Sequence, residues 1–441
     1  MSFSILHPLG VASFHRAKSL GSRCIWLIPV ILVCVNPVNA APASTTDGVW
    51  ANWVLQQVNS HPQVTAAKQT MKGALQSADA KTQPIYNPTL DTQYEHEGDD
   101  NNYLVGVSQS VDWWDKRSTY QQQAHFSRVV AEQTYHKQVQ YQAAHSLKTL
   151  IRWRSAKQQA DISLQLEEQL DTLIELVSKR QSSGDLGEID AQLVYLSLSG
   201  RLNETASAQA QLRKVTEQVY ESMPAFNEQH QPIPQTFWTL GKGKQNTSVE
   251  LAEAVDSHPE VVTAKAQWQL MQQGVELAKR QAKADPTFSL GGGKSNGENV
   301  VALSVSIPLF VRNNFAGQTD AAVSNSLAAK ATYASLKRKK RHGIKGTRAA
   351  LNEYQQRYQR WLSVVKDRVE RSEVLLNKQW RSGDLSTTEF LLALEQRSKG
   401  LIAGIELRTS AHLAQIDWLL QTGQLIHILD GFATNAAANK E

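Results

Sequence analysis

A stretch of 67 residues without proline or glycine limits what this chain can fold into. Residues 115–181 are rich in Gln, Ala, Lys, Leu and Glu, all of which favour helix. Leu166, Leu170, Leu173 and Val177 recur at spacings of four, three and four, which predicts one apolar stripe along that helix. At 1.5 Å per residue such a helix is about 100 Å long, far longer than the helices of ordinary globular domains.

The second half of the chain repeats the order of features found in the first. The dipeptide His61-Pro62 returns as His258-Pro259, 197 residues later. The other matching tracts, offset by 196 to 199 residues, are 87–90 with 285–288, 110–117 with 306–313, and 183–186 with 382–385. A period near 200 residues is too long for a solenoid unit. It predicts a duplicated module of a helix, two strands, a very long helix and another helix.

Each long helical stretch is expected to end at a tight turn. The second stretch, residues 314–381, lacks proline, and we expect Gly317, Gly343 and Gly346 to interrupt it. Both stretches are followed by Gly-Asp-Leu, and glycine supplies the left-handed residue that closes a helix. The two tip turns predicted in this way are Gly184-Asp185-Leu186 and Gly383-Asp384-Leu385. The next helix then runs antiparallel, and its leucine spacing of three and four indicates a coiled-coil seam.

Four short segments alternate apolar with small or polar residues, as strands do. In the clearest of them, Val301, Leu303 and Val305 share one face, opposite Ala302 and Ser304. Segments of about 9–11 residues with this pattern are typical of transmembrane barrel strands. A pair of soluble hairpins that cap the helices is the alternative. Four strands cannot close a barrel and a bilayer does not tolerate open edges, so a membrane location requires a cyclic oligomer, for which three chains would contribute twelve strands.

The first 40 residues have the pattern of a secretory signal peptide. Three basic residues precede the apolar run 24–35, and small residues lead to a predicted cleavage site after Ala40. A transmembrane anchor is the alternative, but this run falls short of the ~20 residues that span a bilayer. Cys24 and Cys34, the two cysteines of the chain, both lie in this segment. Without its three basic residues the net charge falls from +5 to +2, which gives little support for a nucleic-acid partner.

These features divide the chain into five parts. We expect a signal peptide (1–40), a first repeat (41–222), an inter-repeat linker (223–248), a second repeat (249–423) and a C-terminal tail (424–441). The linker is assigned from its prolines, glycines and glutamines. No stretch after the signal peptide reaches the ~20 apolar residues of a transmembrane helix.

No residue pattern predicts catalysis or a bound cofactor. The sequence contains no HExxH, GxSxG or P-loop motif, so we expect neither an enzyme nor a cofactor, metal or nucleotide site. His61 and His258 precede proline and are expected to begin helices rather than to bind metal. The basic run 337–341 is expected to be a solvated helix face, with an anionic-lipid site as the alternative. Trp113 and Trp114 are either membrane-interface anchors or packing residues.

In its order of features the chain resembles the TolC-type outer-membrane efflux proteins. The resemblance covers residues 48–423 and rests on the duplication, the strand pairs at equivalent places and the glycine-leucine turns. The helix starts at Ser60-His61-Pro62 and Ser257-His258-Pro259 are similar to those of the family. Each motif is weak by itself, whereas their fixed order is specific. Within the family, the heavy-metal cation-efflux branch has halves of the most similar shape.

The resemblance implies a mainly helical homotrimer in the outer membrane of a Gram-negative bacterium. A twelve-stranded β-barrel with four strands per chain would lie in outer-membrane lipid, and a trimeric α-barrel would extend into the periplasm. The two tip turns would dock a periplasmic adaptor protein, which joins the channel to an inner-membrane pump. Asp190 resembles an acidic residue that latches the closed tip, and Glu389 resembles the first of two lumen aspartates. Leu392 stands at the second aspartate position, a departure from the family pattern.

The sequence therefore predicts the outer-membrane channel of a tripartite efflux system, a passive duct for solutes such as metal cations or drugs. The alternative is an exported periplasmic coiled-coil adaptor or scaffold. An adaptor would have the long hairpins but would not need four barrel strands.

Overall fold

The computed structural model describes residues 45–184, 187–227, 234–239 and 248–438. The predicted signal peptide (1–40) lies outside the described residues. The helices are α1 Thr45–Ser60, α2 Pro62–Ala80, α3 Lys116–Ser182, α4 Glu188–Ser222, α5 Gln235–Thr239, α6 Ser248–Ser257, α7 Pro259–Gln281, α8 Ala316–Trp361, α9 Asp367–Ser382, α10 Thr387–Thr422 and α11 Leu425–Ala438. A π-helical segment, Leu362–Lys366, joins α8 to α9. The strands are β1 Thr89–Glu97, β2 Asp100–Ser110, β3 Thr287–Ser295 and β4 Glu298–Ser306.

The first long helix has the length that its sequence predicts. Helix α3 contains 67 residues. It begins after Asp115, a left-handed residue with φ 56°, and its first amides are capped from the preceding turn. The Asp112 carboxylate accepts hydrogen bonds from the backbone N–H groups of Lys116 and Arg117, both at 2.7 Å. A carboxylate at this end also interacts favourably with the helix dipole.

The second long helix is broken at a place that its sequence does not indicate. The predicted interruptions at Gly317, Gly343 and Gly346 are wrong, because α8 continues through all three. A glycine inside a helix costs only about 1 kcal/mol, which packing easily outweighs. The break is instead the π-helical segment Leu362–Lys366, which follows a tryptophan, Trp361.

The four strands form one antiparallel sheet in the order β1-β2-β3-β4. Each hairpin closes through two residues. In the first, Gly98 has φ 61°, and in the second Asn296 and Gly297 have φ 52° and 81°. Two successive positive φ values make a type I′ turn, whose twist matches that of paired strands. The two halves of the chain meet where β2 pairs with β3.

The sheet register corrects one of the matches made from sequence. Thr89 pairs with Ser108 and Thr287 pairs with Ser306, so Ser108 is the counterpart of Ser306. Tracts 110–117 and 306–313 are therefore displaced from true equivalence by two residues. Backbone pairing sets the equivalence of strands, whereas a short run of similar residues does not.

The main apolar core packs the short helices α1, α5 and α11 against the long helices α3, α4 and α10. Its buried residues come from helices α1 to α5, α8, α10 and α11, among them Trp50, Leu147, Phe237, Leu419 and Leu429. The described part of the predicted linker thus packs into the core through Phe237, and most of the predicted tail is helix α11. The domain limits at residues 222, 248 and 423 remain a prediction.

A second apolar cluster lies near the tip turns. It joins α3, α4, α9 and α10, and Trp380 stacks on Phe390 with ring centroids 5.0 Å apart. The guanidinium of Arg180, near the end of α3, lies 5.1 Å from the Trp380 ring centroid. Both hairpins therefore share one core at their far ends. No helix among the described residues is both long enough and apolar enough to cross a membrane.

Candidate functional site

One face of the sheet is apolar and exposed. Leu303 is 77% exposed, Val301 is 83% exposed, and Tyr94 at the opposite edge is 69% exposed. A contiguous exposed apolar face of this kind marks an interaction surface. The large exposed apolar residues on this face, hereafter the apolar sheet face, are Leu90, Tyr94, Tyr103, Val105, Val107, Phe288, Leu290, Val301, Leu303 and Val305.

The opposite face of the sheet carries mainly small and polar residues, with Leu104 and Val300 as apolar exceptions. Gly106 lies opposite Gly291, which lies opposite Ala302 on β4. A Cβ atom built on Gly106 would lie 2.8 Å from the carbonyl oxygen of Leu290, and one on Gly293 would overlap the backbone of Tyr103. Only glycine permits so close an approach of neighbouring strands at these positions.

A buried ion pair joins the two halves at the base of the sheet. Lys116 Nζ lies 2.8 Å from Asp285 Oδ2, and both residues are 8% exposed. The Tyr86 hydroxyl donates to the same carboxylate at 2.6 Å. Burial and this hydrogen bond raise the pKa of Tyr86. The pair fixes the start of α3 against the segment that leads into β3.

The two tryptophans beside this ion pair have different environments. Trp114 Nε1 donates to the carbonyl oxygen of Ala284 at 2.8 Å, and the Lys283 ammonium lies 4.4 Å from its ring centroid. Trp114 is therefore a packing residue between the halves. Trp113 is 63% exposed next to the sheet, where an amphipathic ring suits a membrane interface.

The two tip turns reverse the long hairpins as the sequence predicts. Gly184 and Gly383 are left-handed, with φ 81° and 83°. At the second turn the Asp384 N–H donates to the carbonyl oxygen of Gln379 at 2.9 Å, and the Gly383 N–H donates to that of Trp380. This is a Schellman arrangement, in which glycine at the left-handed position satisfies the last carbonyl groups of α9. Asp185 and Leu186 of the first turn lie outside the described residues.

Asp190 and Glu389, the two gate candidates, have unequal surroundings. The Glu389 carboxylate accepts hydrogen bonds from the backbone N–H and the hydroxyl of Ser386, at 3.0 and 2.8 Å. These bonds form a capping box at the start of α10 and lower the pKa of Glu389. Asp190 Oδ1 instead accepts a hydrogen bond of 3.3 Å from Thr388 Oγ1. Asp190 thus links the two hairpins within one chain, whereas Glu389 stabilises its own helix.

A second link between the hairpins was not predicted from the sequence. Glu373 on α9 accepts a hydrogen bond from Gln169 Nε2 on α3 at 2.9 Å, and its other oxygen pairs with Arg397 on α10. Gln169 and Glu373 are 204 residues apart, and neither belongs to a recognisable motif. Together with the Asp190–Thr388 hydrogen bond, this contact joins the first hairpin to the distal part of the second.

Both histidines that were predicted to begin helices do so. The Nδ1 atoms of His61 and His258 accept hydrogen bonds from the backbone N–H groups of Gln63 and Glu260, at 3.3 and 3.2 Å. Burial, with a smaller effect from Lys340, lowers the pKa of His258 to about 4. No cluster of three potential metal ligands occurs among the described residues.

The basic run 337–341 is only partly the solvated face that was expected. Lys340 is buried, and its Nζ atom lies 3.0 Å from Glu260 Oε1, so the prediction is wrong for this residue. Lys337 pairs with Asp256. These contacts tie α8 to α6 and α7, a packing role that a run of basic letters does not reveal.

No protein-family model matches the sequence, and no curated protein matches it. The structure, however, resembles several solved outer-membrane channels. It superposes on the Campylobacter jejuni CmeC outer membrane channel with a TM-score of 0.70 and 12% identity, over 89% of this chain and 90% of that one. For the open state of the Neisseria gonorrhoeae MtrE outer membrane channel the TM-score is 0.69, with 12% identity over 88% of this chain and 93% of that one. For the Vibrio cholerae outer membrane protein VceC the TM-score is 0.68, with 14% identity over 85% of this chain and 96% of that one.

These similarities establish the fold. The chain has the TolC-type architecture that the order of its sequence features predicted: a mainly helical protein with one small four-stranded sheet. Nearly the whole length of each solved channel is matched, so the likeness is not confined to one hairpin.

Proposed function

We propose that this protein is the outer-membrane channel of an efflux system, a passive duct that makes and breaks no bonds. The apolar sheet face carries the proposal, because ten large apolar side chains on one face of four strands have no role in a water-exposed protein. A bilayer would cover this face. The two hairpins would then extend into the periplasm, with the tip turns at their far ends.

Closure of the sheet supports a trimer. Strands β1 and β4 each lack a partner on one side in the described chain. An unpaired strand edge in hydrocarbon leaves several unsatisfied N–H and C=O groups, each of which costs several kcal/mol. Three copies would close twelve strands into one barrel. The long hairpins of the same three copies would form the α-helical tube below it.

The efflux partners follow from the same assignment. A passive duct requires an energy source, so an inner-membrane pump and a periplasmic adaptor are the proposed partners. The adaptor would dock at the tip turns Gly184-Asp185-Leu186 and Gly383-Asp384-Leu385. Similarity to the heavy-metal branch remains a prediction, as does the choice between metal cations and drugs as the exported solute.

An exported periplasmic adaptor or scaffold is the alternative. It would place the sheet in water, where the apolar sheet face would favour aggregation. Fractionation separates the two proposals: a channel stays with outer membranes and requires detergent for extraction, whereas an adaptor without a lipid anchor is released by washing.

A matched pair of arginine substitutions tests the membrane assignment of the sheet. Leu303 lies on the apolar sheet face, and Ser304, the next residue of β4, lies on the other. Leu303→Arg should destabilise the assembled channel by about 2–4 kcal/mol at mid-bilayer. Ser304→Arg should be tolerated, because that face would meet water. Equal loss of outer-membrane trimer in both variants would argue against the channel.

A further inference from the structure

A small pocket lies where helices α3, α5 and α10 meet. It has about 10 Å³ of free space, which is enough for one particle of the size of a water molecule. Two arginines line the pocket, and among the described residues no aspartate or glutamate does. Its polar and aromatic lining residues include Arg154, Ser155, Trp238, Arg408 and His412. The pocket therefore has an excess of positive charge.

The two arginines of this pocket lie near each other, and no described carboxylate compensates them. Arg408 donates a hydrogen bond to the side-chain oxygen of Gln158, which is neutral. Arg154 forms no hydrogen bond or ion pair within the described part of the chain. Burial, and after it the charge of Arg408, lowers the pKa of Arg154, yet a guanidinium stays protonated in proteins. Two like charges thus remain close together, which is unfavourable unless an anion compensates them.

The histidine of the pocket adds a donor and no charge. Burial, followed by the charges of Arg408 and Arg154, lowers the pKa of His412 to about 3, so its imidazole is neutral near pH 7. The ring stacks on Trp238 with ring centroids 3.7 Å apart, which holds α5 against α10. A neutral imidazole keeps one N–H donor. This donor has no acceptor among the residues that the structure describes.

Ser155 contributes a buried donor from α3. It is 8% exposed, and its hydroxyl oxygen accepts a hydrogen bond from Gln159 Nε2 at 3.4 Å. The hydroxyl proton has no acceptor within the described ranges of the chain. Leaving a buried donor without an acceptor is unfavourable. The pocket thus combines two positive charges with two further donors, and no carboxylate of the described chain serves any of them.

We propose that this pocket binds one monatomic anion of about the size of chloride. The anion accepts hydrogen bonds from Arg154, Arg408 and Ser155 and compensates the two positive charges. A water molecule accepts the same bonds but leaves both charges uncompensated. The free space is too small for a tetrahedral oxyanion such as phosphate. The bound anion ties α3 to α10 within one chain, so the proposal does not depend on the proposed channel.

Thermal unfolding of the full-length protein in detergent tests the anion site. Sodium gluconate is replaced by sodium chloride at constant ionic strength, which keeps general screening unchanged. Because chloride binds the folded chain alone, the unfolding midpoint should rise by about 2 °C for each tenfold increase in chloride above its dissociation constant. An unchanged midpoint, or an equal rise with phosphate in place of chloride, would overturn the site.

Two variants on α3 separate the pocket from general effects of charge. Arg154→Gln removes one of the two like charges, so it should unfold in gluconate no earlier than the parent and should lose the rise in chloride. Arg152→Gln, at an exposed position of the same helix, is the matched control and should keep the rise. A rise that persists in Arg154→Gln would overturn the proposal. If that variant does not fold, crystals of the parent grown in bromide decide: an anomalous peak between Arg154 and Arg408 is expected, and its absence would contradict the site.

Discussion

Equivalent positions of the two long hairpins, Thr205 in the first and Gly404 in the second, are packed differently. In the first hairpin Thr205 on α4 donates a hydrogen bond of 3.2 Å to the carbonyl oxygen of Ser163, and α3 runs past it unbroken. In the second hairpin Gly404 stands at the same distance from the start of its helix as Thr205. The ring of Trp361 lies against Gly404, and Trp361 Nε1 donates to the carbonyl oxygen of Gly400 at 3.2 Å.

This difference in packing accounts for a continuous α3 in the first hairpin and for a π-helical segment between α8 and α9 in the second. A tryptophan ring seated on two glycines requires more room along the helix than a threonine hydroxyl does. The π-helical segment begins at Leu362, directly after Trp361, and a π-bulge is a common cause of a kink. We therefore predict that bending of the hairpins concentrates at this segment of the second hairpin, while the first stays straight.

The two long helices also differ where they begin, and there the largest effect is expected. Lys116→Met would leave the buried Asp285 carboxylate without its cation, which should lower the free energy of unfolding by about 3–5 kcal/mol. Thermal unfolding in detergent measures this loss. Lys345→Met, at an exposed position of the second long helix, is the matched control. Adding Asp285→Leu to Lys116→Met should restore much of the stability, and an unchanged or worsened double variant would contradict this account of the junction.

His61 and His258, which occupy equivalent helix starts, extend the comparison of the two halves to the pH dependence of stability. The pKa of His258 in the folded chain is about 4, below its unfolded value of about 6.5. The unfolded chain therefore binds more protons between these values, so stability falls as the pH falls from 6.5 to 4, by about 3 kcal/mol in all. His258→Asn, which keeps a capping acceptor, should flatten this decline.

The counterpart in the first half provides the control for the pH experiment. His61 is more exposed, so His61→Asn should change the slope much less. Unfolding midpoints measured at intervals of pH between 7 and 4 separate the two variants. Equal slopes for the two would show that burial of His258 is not the cause.

A substitution at Gly404 tests the packing beside the π-helical segment of the second hairpin. A Cβ atom on Gly404 would overlap the Trp361 ring, so Gly404→Leu should destabilise the hairpin by about 1–3 kcal/mol through overpacking. Thr205→Val, at the matching place in the first hairpin, removes one hydrogen bond and should cost about 1 kcal/mol. Hydrogen exchange of the α9 amides should rise in the Gly404 variant alone. An equal rise in hydrogen exchange of the α3 amides would contradict the prediction that bending is concentrated in the second hairpin.

Long-range contacts mark the limit of what this sequence predicts. The first long helix, the tip glycines and the helix starts at the two histidines were predicted correctly, because each depends on neighbouring residues: periodicity, absence of proline, or proline after a cap. The Lys116–Asp285 pair, the Gln169–Glu373 contact and the π-helical segment were missed. Each depends on residues brought together from distant parts of the chain, for which local propensity carries no signal.

The smallest effects on stability are expected at the tips, where the readout is conductance. Asp190→Ala and Thr388→Val both remove the hydrogen bond that links the hairpins, so both should raise conductance in a planar bilayer by loosening closure. Glu389→Gln should instead weaken block by multivalent cations, since the Glu389 carboxylates of the proposed trimer would form a ring that attracts them. If all three variants match the parent in conductance and in cation block, the gate assignment is wrong and the capping box is the whole role of Glu389.

In the proposed function three copies of this chain close one duct, and the mass of the intact assembly tests this most directly. Native mass measurement of the protein extracted from outer membranes in detergent should give three chains, each lacking the predicted signal peptide. The assembly should persist at dilution, because its open strand edges are paired only within it. A stable single chain in detergent, with its apolar sheet face covered by detergent alone, would contradict the account.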